Sequence, residues 1–150
     1  MIYRLIIFLI LNFGALSIGG LFTDVKSDWY ENLNHAPWIP PGWVFGAAWT
    51  TIMICFSLYM SILWKRVSRK NILIALYAIQ LILNIGWNPM FFYFHHVSFG
   101  FFIIVALTLL IILMFFAYRN KIQSISYLIL PYALWLLIAT SLNGYVLFNN

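Results

Sequence analysis

The chain has 150 residues, 65% of them hydrophobic and only 7% charged, with a net charge of +5. Soluble domains carry about a quarter charged residues, so this composition excludes a water-coated globule and points to a protein whose solvent is lipid. The basic residues sit in short clusters between apolar runs and form no continuous face, which excludes nucleic-acid binding.

Apolar runs fall at about residues 5–22, 42–64, 72–94, 99–118 and 124–148. Each is long enough for a helix rising 1.5 Å per residue to cross a hydrocarbon core of about 30 Å. They are too long and too uniformly apolar for the alternating strands of a barrel. The first run exceeds a signal-peptide core, and no A-x-A cleavage site follows it, so it is read as a retained helix. The second holds the sole cysteine, Cys55, read as a small buried hydrophobe. The expected fold is an all-α membrane bundle of five transmembrane helices, one domain over residues 1–150.

The charges test this count independently. One side receives Arg4, then Lys65, Arg66, Arg69 and Lys70, then Arg119 and Lys121. The other receives Lys26 and all three acids, Asp24, Asp28 and Glu31. The positive-inside rule then puts the N-terminus inside and the C-terminus outside.

Two connections, at residues 95–98 and 119–123, read as tight turns. The first loop, about residues 23–41, is long and structured. Pro37, Pro40 and Pro41 stiffen it, and Trp29, Tyr30 and Trp38 give it surface to pack. A short helix near residues 29–33 is predicted, with Asp28 as its N-cap. The residues leave two roles open: a lid, or an interfacial aromatic belt.

No acidic or basic residue lies in the middle of a span, which argues against ion-coupled pumps and charge-ring channels. There is no buried carboxylate pair and no Ser-His-Asp set. His35, His95 and His96 share the outer side; the adjacent pair reads as a polar turn rather than as a metal or haem site. Gln80, Asn84 and Asn88 share a face of the third run, next to Trp87. Trp135, Ala139 and Asn143 repeat the spacing in the fifth. Such amides either bond helices together or line a cavity. Gly42 with Gly46, and Ala15 with Gly19, are expected to permit close helix approach. Pro89 and Pro131 are expected to kink their helices. Together these features predict a cavity toward the outer half of the bilayer, aromatic and uncharged, suited to a large flat apolar ligand.

Three blocks also carry a resemblance. They are Trp29-Tyr30 with Ala36-Pro37-Trp38-Ile39-Pro40-Pro41-Gly42-Trp43-Val44-Phe45-Gly46 and Trp49; Leu83-Asn84-Ile85-Gly86-Trp87-Asn88-Pro89-Met90-Phe91-Phe92; and Pro131-Tyr132-Ala133-Leu134-Trp135 with Ala139-Thr140-Ser141-Leu142-Asn143. In order and spacing they resemble the translocator protein family (TspO, the tryptophan-rich sensory proteins, relatives of the mitochondrial benzodiazepine receptor). The likeness covers nearly the whole chain. It implies a homodimeric five-helix bundle, in a bacterial cytoplasmic membrane here, that binds porphyrins as ligands and has no resident cofactor or metal. It implies that Trp49 and Trp135 face the pocket, that Asn84 and Trp87 line it, and that Ala139 is a small residue where substitution alters binding. Tyr30 and Trp38 match first-loop residues that close over the ligand. Two departures stand out. The family's usual basic residue before the first-loop proline is Ala36 here, after His35. The sterol motif seen in some members needs a basic residue after its tyrosine, and none follows Leu142 and Tyr145, which argues against sterol binding through it.

The resulting expectation is a membrane-embedded receptor, sensor or carrier for protoporphyrin or another tetrapyrrole. One alternative is an enzyme that degrades protoporphyrin in light, with Trp49 and Trp135 carrying or positioning the chemistry. Another is a tetrapyrrole transporter.

Overall fold

A computed structural model describes all 150 residues. It is all helical. The helices are α1 (Ile2–Gly20), α2 (Asp28–Glu31), α3 (Gly42–Arg66), α4 (Lys70–Asn88), α5 (Val97–Ile122) and α6 (Leu130–Asn149). A π-helical turn, Pro89–Tyr93, extends α4, and a 3-10 segment, Gln123–Ile129, precedes α6. Four helical stretches are long and apolar enough to cross a membrane: Ile2–Gly20, Gly42–Arg66, Lys70–Tyr93 and Val97–Asn149. The last has 53 residues and holds two helices. It reverses at Gln123, whose φ is 50°, and α6 runs back along α5. Thr108 there meets Thr140 at 3.1 Å between hydroxyls, and Phe101 packs edge-on against Phe148.

The five long helices close a ring in the order α1, α3, α6, α5, α4, with α3 also touching α5 across the middle. Helices hydrophobic all round bury whichever stripe faces their neighbours. On α6 that stripe is Tyr132, Trp135, Ala139, Asn143 and Val146, the three-to-four spacing of one helix face. A single core cluster of 26 buried residues runs through the bundle.

Polar side chains bind the ring together. Tyr77 donates to Asn12 Oδ1 at 2.8 Å, and Asn12 Nδ2 donates to Ser57 Oγ at 2.8 Å, joining α4, α1 and α3. Gln80 Nε2 donates to the Tyr132 hydroxyl at 2.7 Å, joining α4 to α6. In lipid these bonds replace no water contact, and each contributes about 0.6 kcal/mol on average.

Several details differ from the sequence expectation. The cap of α2 is Ser27, whose hydroxyl accepts from the Tyr30 amide, and Asp28 is the first helical residue. The 3-10 segment displaces the start of α6 to Leu130, so Pro131 falls in its first turn. Its missing amide therefore falls where the 3-10 winding gives way to α-helix, not in the interior of a regular α-helix. Helix α5 continues through residues 119–122, and the turn shrinks to Gln123. Gly19 does permit close approach: a Cβ there would lie 2.7 Å from Asn88 Nδ2. Gly42 and Gly46 face open space and bring no helix of this chain closer.

Candidate functional site

The first loop folds down over the end of the ring where α1 finishes and α3 begins. Its anchors are specific. Thr23 Oγ1 donates to Asn88 Oδ1 at 2.8 Å. Trp29 lies between Phe91, edge-on at 5.6 Å, and the His95 ring, stacked at 4.0 Å. His95 can offer that face because its backbone has φ 56°, the left-handed turn that reverses the chain before α5. His35 Nε2 donates to the Tyr30 carbonyl at 2.9 Å. Asn34 and the end of α6 form a clasp: the Asn34 amide donates to Asn150 Oδ1 at 2.8 Å, Asn34 Nδ2 to the Asn149 carbonyl at 3.0 Å, and Asn150 Nδ2 to the Asn34 carbonyl at 3.2 Å. Ala36 is 3% exposed, so a longer side chain in its place would have to displace the loop.

Beneath the loop is a cavity of about 50 Å³. Tyr30, His35, Ala36 and Ile39 form its roof. Phe45 and Trp49 come from α3, Trp87 from α4, Phe91 and Phe92 from the π turn, and Trp135, Ala139, Leu142, Asn143 and Val146 from α6. The space holds little more than a water or two, whereas sites for drug-sized ligands run to about 300–1,000 Å³. A flat ligand therefore needs the roof to lift or the aromatic walls to turn.

Of the seven residues that the family resemblance assigns to the pocket, five line this cavity: Tyr30, Trp49, Trp87, Trp135 and Ala139. Trp49 packs edge-on against Tyr132 at 6.0 Å, and Trp135 against Phe45 at 5.2 Å. Their depths counted from the helix ends differ by about 10 Å, yet they share one cavity because the ends are not level. Helix α6 rises past the start of α3 to reach Asn34. Two of the seven stand apart. Asn84 is buried behind the lining, with its Nδ2 unpartnered. Trp38 is 54% exposed; its indole donates to Ser141 Oγ at 3.1 Å and meets Tyr145 edge-on, so it fastens the loop to the outside of α6.

The polar groups of the lining are few and unusual. Trp87 Nε1, Trp135 Nε1 and Asn143 Oδ1 are buried without a partner; leaving such a group unpaired costs about 1–3 kcal/mol. The Asn143 amide nitrogen is satisfied by the Ala139 carbonyl at 2.9 Å, which orients its oxygen. Burial raises the Tyr30 phenol above its ordinary value of 10.0, so it remains a neutral donor. The three histidines go separate ways: His35 to Tyr30, His95 to Trp29, and His96 to Phe94.

Asn143, Phe45, Leu142 and Val146 are reached from Trp49 or Ala139 by helical steps of three, four or seven residues. Phe91 and Phe92 are not. Adjacent residues share one wall only because the π turn after Pro89 widens the helix there.

The same residues organise the comparison with known proteins. The TspO/MBR family profile matches residues 6–148. The chain is 33% identical over 134 residues to the tryptophan-rich protein TspO of Chlorobaculum tepidum, covering 86% of this chain and 84% of that protein. It is 33% identical over 140 residues to the protein CrtK of Rhodobacter capsulatus, covering 86% and 81%. It is 29% identical over 119 residues to the translocator protein of Ovis aries, covering 77% and 70%. With its apolar helical spans and the aromatic cavity under its first loop, the chain is a helical membrane protein and belongs to the TspO/MBR family.

Proposed function

We propose that this protein is a membrane-embedded receptor or carrier for porphyrins and similar flat apolar ligands, bound in the aromatic cavity. One observation carries the reading: two indole N–H donors and one amide oxygen lie buried and unpartnered on residues of a lining that is otherwise almost wholly apolar. A tetrapyrrole brings carboxylate acceptors at its edge for the indole donors, and broad faces for Trp49 and Trp135. The relative named as a translocator protein favours binding and hand-over as the activity. We also propose a single domain of five spans in a cytoplasmic membrane, functioning as a homodimer, with the seven-cation end inside. A reporter fused after Asn150 should then read as external, and a cytoplasmic reading would overturn that topology.

The direct test is a protoporphyrin titration of the purified protein followed by tryptophan fluorescence, in the dark and under light. Saturable quenching in the dark with unchanged pigment is expected. Absence of saturable quenching would overturn the reading. A new absorbing product that requires light, Trp49 and Trp135 would replace it with the photodegrading enzyme.

A further inference from the structure

The end of the bundle remote from the loop carries a second, very different recess. Between the start of α1, the end of α3 and the start of α4 lies an open groove of about 420 Å³, within the range of ligand-sized sites. Ile7, Phe8 and Leu11 form one wall, Trp64 the base, and Ile74 and Tyr77 the other wall. Arg4 stands among the same residues. Its guanidinium offers five N–H donors, and the structure gives it one neighbouring acceptor: Nε and Nη2 both donate to the Tyr3 hydroxyl, at 3.1 and 3.0 Å. All three acidic residues of the chain lie between positions 24 and 31, at the opposite end, so no carboxylate is at hand. Lys70, beside the same groove, is already committed to the carbonyls of Trp64 and Val67.

We propose that this groove seats an acyl chain of an anionic phospholipid, with the phosphodiester held by Arg4. The chemistry selects that occupant. The walls are apolar and open to the surrounding hydrocarbon, which suits a chain. A guanidinium grips a phosphate through two parallel hydrogen bonds. A zwitterionic lipid carries its own cation next to the phosphate and gains less from Arg4. A second copy of this protein seated by a two-fold axis would bring a second Arg4 toward the first, a like-charge approach with no acid to relieve it.

The test uses the full-length protein in nanodiscs made from equal parts phosphatidylglycerol and phosphatidylcholine, released for native mass spectrometry to count retained lipids. Wild type is expected to retain phosphatidylglycerol preferentially. Arg4→Gln should reduce that retention about tenfold, about 1.4 kcal/mol, and leave phosphatidylcholine unchanged. Ile74→Trp, which fills the groove, should lower retention of both. An elution profile matching wild type identifies variants that have folded. Equal retention of the two lipids by wild type, or undiminished phosphatidylglycerol on Arg4→Gln, would overturn the proposal. So would an Ile74→Trp variant that loses a dimer but no lipid, since the groove would then hold a second copy.

Discussion

The clasp between Asn34 and the end of α6 yields the sharpest test of how the cavity works. Its three hydrogen bonds are exposed to solvent, so each contributes toward the low end of the usual range, about 0.5 kcal/mol, and the set about 1.5 kcal/mol. The double variant Asn34→Ala, Asn150→Ala removes the side-chain half of every one. At about 1.4 kcal/mol per factor of ten, the open-roof population should rise about tenfold. Hydrogen exchange reads this without any ligand: amides at residues 29–40 should exchange about tenfold faster, while those of α5 keep their protection. The cavity of about 50 Å³ cannot admit a tetrapyrrole while closed, so the same factor should appear in stopped-flow quenching by protoporphyrin. Because the clasp can form over both the empty and the loaded cavity, its loss accelerates association and dissociation together and leaves Kd nearly unchanged. Unaltered exchange would show that the clasp does not hold the roof. Faster exchange with an unaltered association rate would show that the ligand takes another route.

Three further outcomes follow from the packing. Trp49→Ala or Trp135→Ala should weaken protoporphyrin binding about tenfold, from about 0.5–1.5 kcal/mol of ring stacking; Trp135→Phe should cost less, and wild-type affinity in the folded double alanine variant would move the ligand elsewhere. Replacing residues 29–38 by a Gly/Ser linker removes Trp29 from between Phe91 and His95 and should weaken binding while the bundle still folds; an unchanged Kd would reduce the loop to a surface belt. Asn12→Ala strands the Tyr77 hydroxyl, and should destabilise the protein by about 1 kcal/mol more than it does in a Tyr77→Phe background; additive effects in a detergent-unfolding cycle would refute the coupling.

Composition and periodicity determined much about this protein. Long uncharged runs can satisfy their backbone in lipid only as helices, so the helix count and the gathering of basic residues at one end were legible without coordinates. The face Trp135, Ala139 and Asn143 on α6 was legible for the same reason, since helical periodicity is local. What lies across from each face is not local, and the tertiary structure decided it. The stripe Gln80, Asn84 and Asn88 divides three ways: Gln80 bonds Tyr132, Asn84 has no partner for its Nδ2, and Asn88 fills the space left by Gly19 and meets Thr23. The loop's aromatics alone left lid and belt open. The contacts separate them by residue, with Tyr30 over the cavity and Trp38 on the outside of α6. Periodicity measured how far Trp49 and Trp135 lie from their helix ends; only the offset of α6 past the start of α3, held by Asn34, brings them to one cavity. In a chain where nearly every surface is apolar, hydrophobicity does not choose between neighbours. Shape, a few hydrogen bonds and the two positive-φ turns at His95 and Gln123 make that choice, and they act only once the helices have met.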